Sequence, residues 1–167
     1  MITTDSLFEW ASIFGIKVVF KNLKGIDSGP LGLADADSKT IELDQSLIDS
    51  PRQLKAILAE EIGHILYPPR PGHIRYHSRG FWQRADCESI RQSVAQDERK
   101  ALDWATSVLL PDVEFDRIME NGNLSLSEIA ECYEVEPLFA KHKINYYRRK
   151  ERMSGRKVKW KDVIRRV

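Results

Sequence analysis

Cysteine is nearly absent from this sequence. Only Cys87 and Cys132 occur, and no CxxC pair is present. That excludes a disulfide-stapled scaffold and a cysteine zinc knuckle, and it points to a reducing compartment. Long hydrophobic runs are lacking too, since nothing approaches the roughly 20 apolar residues that a membrane helix needs. The stretch Met1 to Trp10 is acidic and has neither the basic start nor the apolar core of a signal peptide. A cytoplasmic protein without a membrane partner is therefore expected. No internal repeat or low-complexity block is visible. With 42% hydrophobic and 31% charged residues, the 167-residue chain reads as globular, not disordered. Its length suits one domain with a small appendage.

The net charge of +1 hides an asymmetry. Residues 141–167 hold twelve Lys or Arg against two acids, a net of +10, while residues 1–140 carry −9. A basic tail on an acidic body suits either an anionic partner or a solvated helix end.

Local patterns divide the chain. Leu7, Phe8, Trp10, Ala11 and Phe14 recur at helical spacing, and Gly15 is a fitting stop. Residues 16–20 form a short β-rich run. Residues 29–34, 35–38 and 40–44 read as strand, turn and strand. Ser50 and Pro51 mark a helix start that should run to Tyr67 and stop at Pro68 and Pro69. Residues 68–90 form a long loop rich in Pro, Gly, Arg and aromatics, a type that often lines a site. A second long helix is predicted over 90–110, followed by paired helices around 127–132 and from Pro137 onward.

Both long helices place acids on apolar faces. In the first, Leu54, Ile57, Leu58, Ile62, Ile65 and Leu66 define an arc that contains Glu61, with Glu60 and His64 one turn apart on its flank. In the second, Glu98 falls near the centre of the arc formed by Val94, Ala95, Ala101, Leu102, Ala105, Val108 and Leu109. An ionised carboxylate on a buried face needs a cation. A metal ion can supply it, or an arginine of the loop such as Arg70, Arg75, Arg79 or Arg84. The arcs themselves offer no basic residue on this reading.

The string Ala59-Glu60-Glu61-Ile62-Gly63-His64 resembles the HExxH zinc helix, with Glu60 in place of the first His. The segment Glu98, Ala101, Trp104, Ala105, Val108, Leu109 and Pro111 resembles the third-ligand helix of the ImmA/IrrE metallopeptidases. Leu126, Glu128, Ile129, Ala130, Tyr133 and Val135 resemble the helix-turn-helix-like element that follows it in that family, and the strand Lys39 to Asp44 also fits. The resemblance spans residues 7 to 145.

The resemblance implies an α+β, zincin-like metallopeptidase core at 1–122 with a small antiparallel sheet and a metal-binding helix pair. A helix-turn-helix-like element at 123–147 and a basic tail at 148–167 would follow. It implies Glu60, His64 and Glu98 as metal ligands and Glu61 as general base, with Zn²⁺ as the cofactor. Carboxylates in two of the three positions make a harder donor set, so Mn²⁺ is an alternative. It further implies cleavage of a helix-turn-helix repressor, derepressing a phage, a mobile element or a stress operon. His73, Arg75, Tyr76 and His77 are candidate oxyanion donors, and the sequence does not choose among them.

Two rival readings remain. One is a DNA-binding regulator using the 126–145 helices and the basic stretch after Arg148. Against it, Glu131, Glu134 and Glu136 crowd the turn, where acids would repel phosphates. The other is a catalytically impaired member that binds the repressor without cutting it. Cys87 and Cys132 lack a nucleophile's surroundings.

Overall fold

A computed structural model describes residues 2–24, 29–68, 88–121 and 124–154, and divides the chain into two compact units, Ile2–Ala105 and Thr106–Val167. Residues 69–87, which hold Cys87 and the candidate oxyanion donors of the expected loop, lie outside the described residues, as do residues 155–167. Among the described residues, no helix is long and apolar enough to cross a membrane.

The first unit opens with α1 (Thr4–Ile13), whose Thr3 hydroxyl caps the helix by accepting the Ser6 N–H at 3.1 Å. Leu7 and Ala11, one turn apart, are buried. The helix stops at Gly15, which takes φ +70°. Its N–H donates to the Ser12 carbonyl at 3.0 Å, and the Ile16 N–H donates to the Ala11 carbonyl at 2.8 Å. That pair of bonds is a Schellman ending, which needs a left-handed residue where glycine is cheapest.

Strands β1 (Lys17–Lys21), β2 (Gly32–Asp35) and β3 (Thr40–Asp44) form a sheet in the order β1-β3-β2. Here the structure differs from the antiparallel sheet expected from the sequence. β3 pairs antiparallel with β2 but parallel with β1, so the sheet is mixed. The burial pattern accounts for the order. Ile41 and Leu43 of β3 are fully buried and suit a central strand, whereas Lys17 and Lys21 of β1 are exposed and suit an edge. The β2–β3 turn is closed by the Asp35 carboxylate, which accepts the N–H of Asp37 and the N–H and hydroxyl of Ser38.

Asp44, the last residue of β3, is buried and ties three segments together. Its carboxylate accepts the Leu23 N–H at 2.8 Å, the Ser46 N–H at 2.9 Å and the Ser46 hydroxyl at 2.5 Å. These bonds, that of the Ser46 hydroxyl foremost, hold its carboxyl below the ordinary range. It also caps a short 3₁₀ helix, Gln45–Asp49, which the sequence reading left out.

Helix α2 (Pro51–Leu66) has proline in its first turn, as expected, and ends just before Pro68. Ser50 sits at the cap position with φ −132° and ψ 72°, and its side chain makes no capping bond. The buried face of α2 is rotated from the expected arc. It holds Lys55, Leu58, Ala59, Ile62, Gly63, His64 and Ile65, so it does contain a basic residue. Lys55 precedes Glu60 by five residues, which puts it about 140° around the helix from that acid. Helix α3 (Glu88–Leu109) follows, and the division between the units falls within it after Ala105.

The second unit contains α4 (Asp112–Asn121), α5 (Leu126–Tyr133) and α6 (Pro137–Ser154). The basic stretch expected to form a tail from Arg148 begins inside α6. Ser125 and Glu128 form a reciprocal capping box at the start of α5. Ile129, Ala130, Tyr133, Val135, Phe139, Ala140 and Ile144 are buried in this unit. Lys143 is also fully buried. It donates to Asp112 Oδ1 at 2.5 Å and lies 5.7 Å from the Phe115 ring centre, while Lys150 donates to the other Asp112 oxygen at 2.5 Å.

The turn between α5 and α6 is a second Schellman ending. The Glu134 N–H donates to the Glu131 carbonyl and the Val135 N–H to the Ala130 carbonyl. Glu134 fills the left-handed position at φ 51°, where a side chain is strained. Glu134→Gly should relieve that strain and raise stability by about 0.5–1 kcal/mol after the added unfolded-chain entropy is deducted. A higher denaturant midpoint with an unchanged slope checks it; a lower midpoint would mean the Glu134 side chain contributes more than its backbone strain costs.

Candidate metal centre

Three side chains from two helices meet in the first unit. α2 supplies Glu60 and His64, whose four-residue spacing stacks them on one side of the helix. α3 supplies Glu98. One ligand atom from each of the three lies within 4.8 Å of the others. The His64 Nε2 and Glu98 Oε2 atoms are 3.7 Å apart. His64 is buried at 4% exposure, while Glu60 and Glu98 keep part of their surface open. The cluster therefore has a closed side and an accessible side.

Electrostatics and donor chemistry both suit a cation here. The Glu98 carboxyl is pushed up to about 7, first by burial and then by the neighbouring Glu60 and Asp97 carboxylates. Glu61 lies next to Glu60 on α2, and its carboxyl is held well above the ordinary range, chiefly by burial, then by Glu60 and Glu98. Crowded acids of this kind are stabilised in their ionised forms by a positive ion among them. An imidazole nitrogen with two carboxylates is an acceptable set for Zn²⁺ and, being oxygen-rich, also for Mn²⁺. The residues present thus fit a divalent ion held by Glu60, His64 and Glu98. Asp97 is buried beside the cluster, 3.4 Å from the Lys100 ammonium.

All four residues singled out from the sequence, Glu60, Glu61, His64 and Glu98, fall in or beside this cluster. His64 was expected on the flank of the apolar arc and is instead well inside. The loop arginines that stood as alternative partners lie outside the described residues. Cys132 is exposed on α5, in the other unit.

One residue that positions the cluster went unremarked in the sequence. A Cβ placed on Gly63 would lie 2.7 Å from the Ala101 carbonyl oxygen and 3.0 Å from the Ala101 Cα. The α2 and α3 backbones therefore touch at a glycine facing an alanine. That approach sets the distance across which Glu98 meets Glu60 and His64. The available signal was a glycine inside a helix of good helix formers, which costs roughly 1 kcal/mol against alanine and calls for a packing reason.

A helix pair that gathers Glu, His and Glu, with a further Glu beside them, is the arrangement of a metallopeptidase-type centre. The profile of the IrrE N-terminal-like domain, the M78 peptidase family, matches residues 11–145, and the chain belongs to that family. The α+β, zincin-like fold agrees with the ImmA/IrrE resemblance. A Mycobacterium tuberculosis transcriptional regulator of known structure has a similar fold. The likeness has a TM-score of 0.59 at 18% identity and covers 85% of this chain. This chain spans only 40% of that regulator's length. No curated protein sequence matches the chain.

Gly63→Ala should force α2 and α3 apart, since the obstructing atoms are backbone and cannot swing away. Overpacking of this kind typically costs about 1–3 kcal/mol. Zn²⁺ affinity should fall by roughly tenfold or more, as it does when a ligand's supporting contacts are lost. Zinc titration of the folded variant is the check. Unchanged affinity would show that the helix spacing does not govern the cluster.

Proposed function

We propose that this protein is a cytoplasmic, metal-dependent endopeptidase whose substrate is a helix-turn-helix transcriptional repressor of a phage, a mobile element or a stress operon. The observation that carries the catalytic part is the Glu60, His64 and Glu98 cluster with the half-buried Glu61 next to Glu60 on α2. Family membership supports a metallopeptidase or an IrrE-like regulatory role. The repressor substrate rests on the resemblance to the ImmA/IrrE proteins.

Glu60, His64 and Glu98 would hold Zn²⁺, or Mn²⁺ in its place. When bound there, the ion supplies Lewis acidity, polarising the scissile carbonyl and acidifying a water. Glu61 performs the proton transfers. It takes a proton from the attacking water as the new C–O bond forms. It then delivers that proton to the departing amine nitrogen as the C–N bond breaks. Burial raises its proton affinity above that of an ordinary carboxylate, the direction that a base working near neutral pH requires.

The acids at the α5–α6 corner favour docking to a protein over docking to nucleic acid. Glu128, Glu131, Glu134 and Glu136 are all exposed there and would repel phosphates. The basic residues from Arg148 onward remain the segment suited to an anionic partner. One observation favours a second reading: the carboxylate Glu60 stands where the motif has a histidine. On that reading the protein binds its repressor without cutting it.

Glu61→Gln separates the two. Shape is kept and the proton acceptor is lost, so bound metal should stay stoichiometric while repressor cleavage falls by about 10²–10⁴. Elemental analysis and a cleavage assay on the repressor encoded nearest the gene provide the readouts. Derepression that persists at full strength in Glu61→Gln would favour the non-cutting antirepressor. Loss of metal in the same variant would place Glu61 among the ligands.

A further inference from the structure

We infer that Gly32 is a positioning residue for Glu61, and that the backbone of β2 is the surface on which the Glu61 carboxylate is seated. The inference rests on the reading of Glu61 as the general base.

Gly32 opens β2, an edge strand, and pairs with Leu43 of β3. Glycine within a strand weakens it, so its presence calls for a reason. Backbone conformation is not the reason. Positive φ is confined to Gly15 and Gly29 among the described glycines, and Gly32 has none. Space is the reason. A Cβ at position 32 would lie 2.6 Å from Glu61 Oε1, 2.8 Å from Glu61 Cγ and 2.8 Å from Ile57 Cγ2. Ile57 and Glu61 are one turn apart on α2, so that face of the helix presses on the strand where the strand has no side chain.

The two neighbours would respond differently to a methyl group. Ile57 is β-branched and fixed at χ1 within a helix, so it yields little. The Glu61 carboxylate is the free end of a flexible chain and would swing aside. Adding one methyl at Gly32 should therefore displace the base, at the cost of some stability where it presses on Ile57. Glu60, His64 and Glu98 are not among the atoms that the methyl would meet first. The metal cluster should persist while its base is moved, and a displacement of about 1 Å at a reacting group is enough to cost around 10²-fold in rate.

The test uses the full-length protein carrying Gly32→Ala, Glu61→Gln or both, together with Gly32→Ala in a Glu61→Ala background. Gly32→Ala is expected to keep stoichiometric Zn²⁺ with affinity within about threefold of the parent. Its kcat for repressor cleavage is expected to drop about 10²-fold or more with KM nearly unchanged. In the Glu61→Gln background the same substitution should cost nothing further, because the group it displaces no longer acts. Cleavage by Gly32→Ala at the parent rate would overturn the inference, and so would loss of metal or a rise in KM that accounts for the whole defect. Thermal melting tests the contact without any substrate. Gly32→Ala should shift Tm more favourably when Glu61 is truncated to Ala than in the parent; equal shifts overturn the contact. A parent protein that binds metal and cuts no repressor would overturn the general-base reading instead, with the melting comparison still deciding whether β2 seats Glu61.

Discussion

The close approach of two helix backbones is the constraint from which the site follows. Gly63 of α2 rests against the Ala101 backbone of α3. With a larger residue at position 63, the carboxylate of Glu98 would stand farther from Glu60 and His64. The cluster is thus held by the absence of side-chain volume as much as by the presence of ligands. The same holds at the other flank of α2, where the bare backbone at Gly32 meets Ile57 and Glu61. Two glycines, one in the helix and one in the strand, let α2 lie closer to its neighbours than ordinary packing allows. The acids that this proximity crowds together acquire the raised proton affinities that suit a cation and a base.

Much of this was legible in the sequence because it depends on periodicity and punctuation. The limits of α2 followed from Pro51 and Pro68, those of α1 from Gly15, and the β2–β3 hairpin from the run of Asp and Ser between two β-rich segments. That Glu60 and His64 share a side of α2 follows from helical register, since side chains four residues apart stack on one face, whereas Glu98 enters the ligand set only through the family resemblance. What escaped was long-range. The parallel pairing of β1 with β3 depends on where β2 folds back, and no local pattern states that. Lys55 lies off the apolar arc that the sequence draws on this helix, yet it is buried on α2. In the sequence Glu134 stands out only as one of the acids crowding the turn, and the structure shows that it adopts the left-handed conformation favoured by glycine. Gly32 and Gly63 were visible as glycines, but a missing side chain announces its use only when the opposing atom is known.

The two units rest on different kinds of polar support. In the first, Asp44 gathers backbone N–H groups from separate segments, so one carboxylate organises chain that forms no regular ladder. In the second, the support is an ion pair, with Asp112 receiving ammonium groups from two positions on α6. Burial alone would raise the Asp112 carboxyl, but the Lys143 and Lys150 bonds outweigh it and leave the group below its ordinary value. Lys143 is pushed down by burial, which its bond to Asp112 only partly offsets.

That buried pair also constrains how the second unit can change over generations. Replacing Asp112 alone strands a buried ammonium, and replacing Lys143 alone leaves Asp112 with only the exposed Lys150. A stranded buried charge costs on the order of a few kcal/mol, a large share of a small domain's stability. A well-packed apolar pair at both positions would be tolerated, but each single step toward it passes through a weakened protein. Positions 112 and 143 are therefore bound to vary together, and drift in α4 is coupled to drift in α6 across 31 residues of sequence.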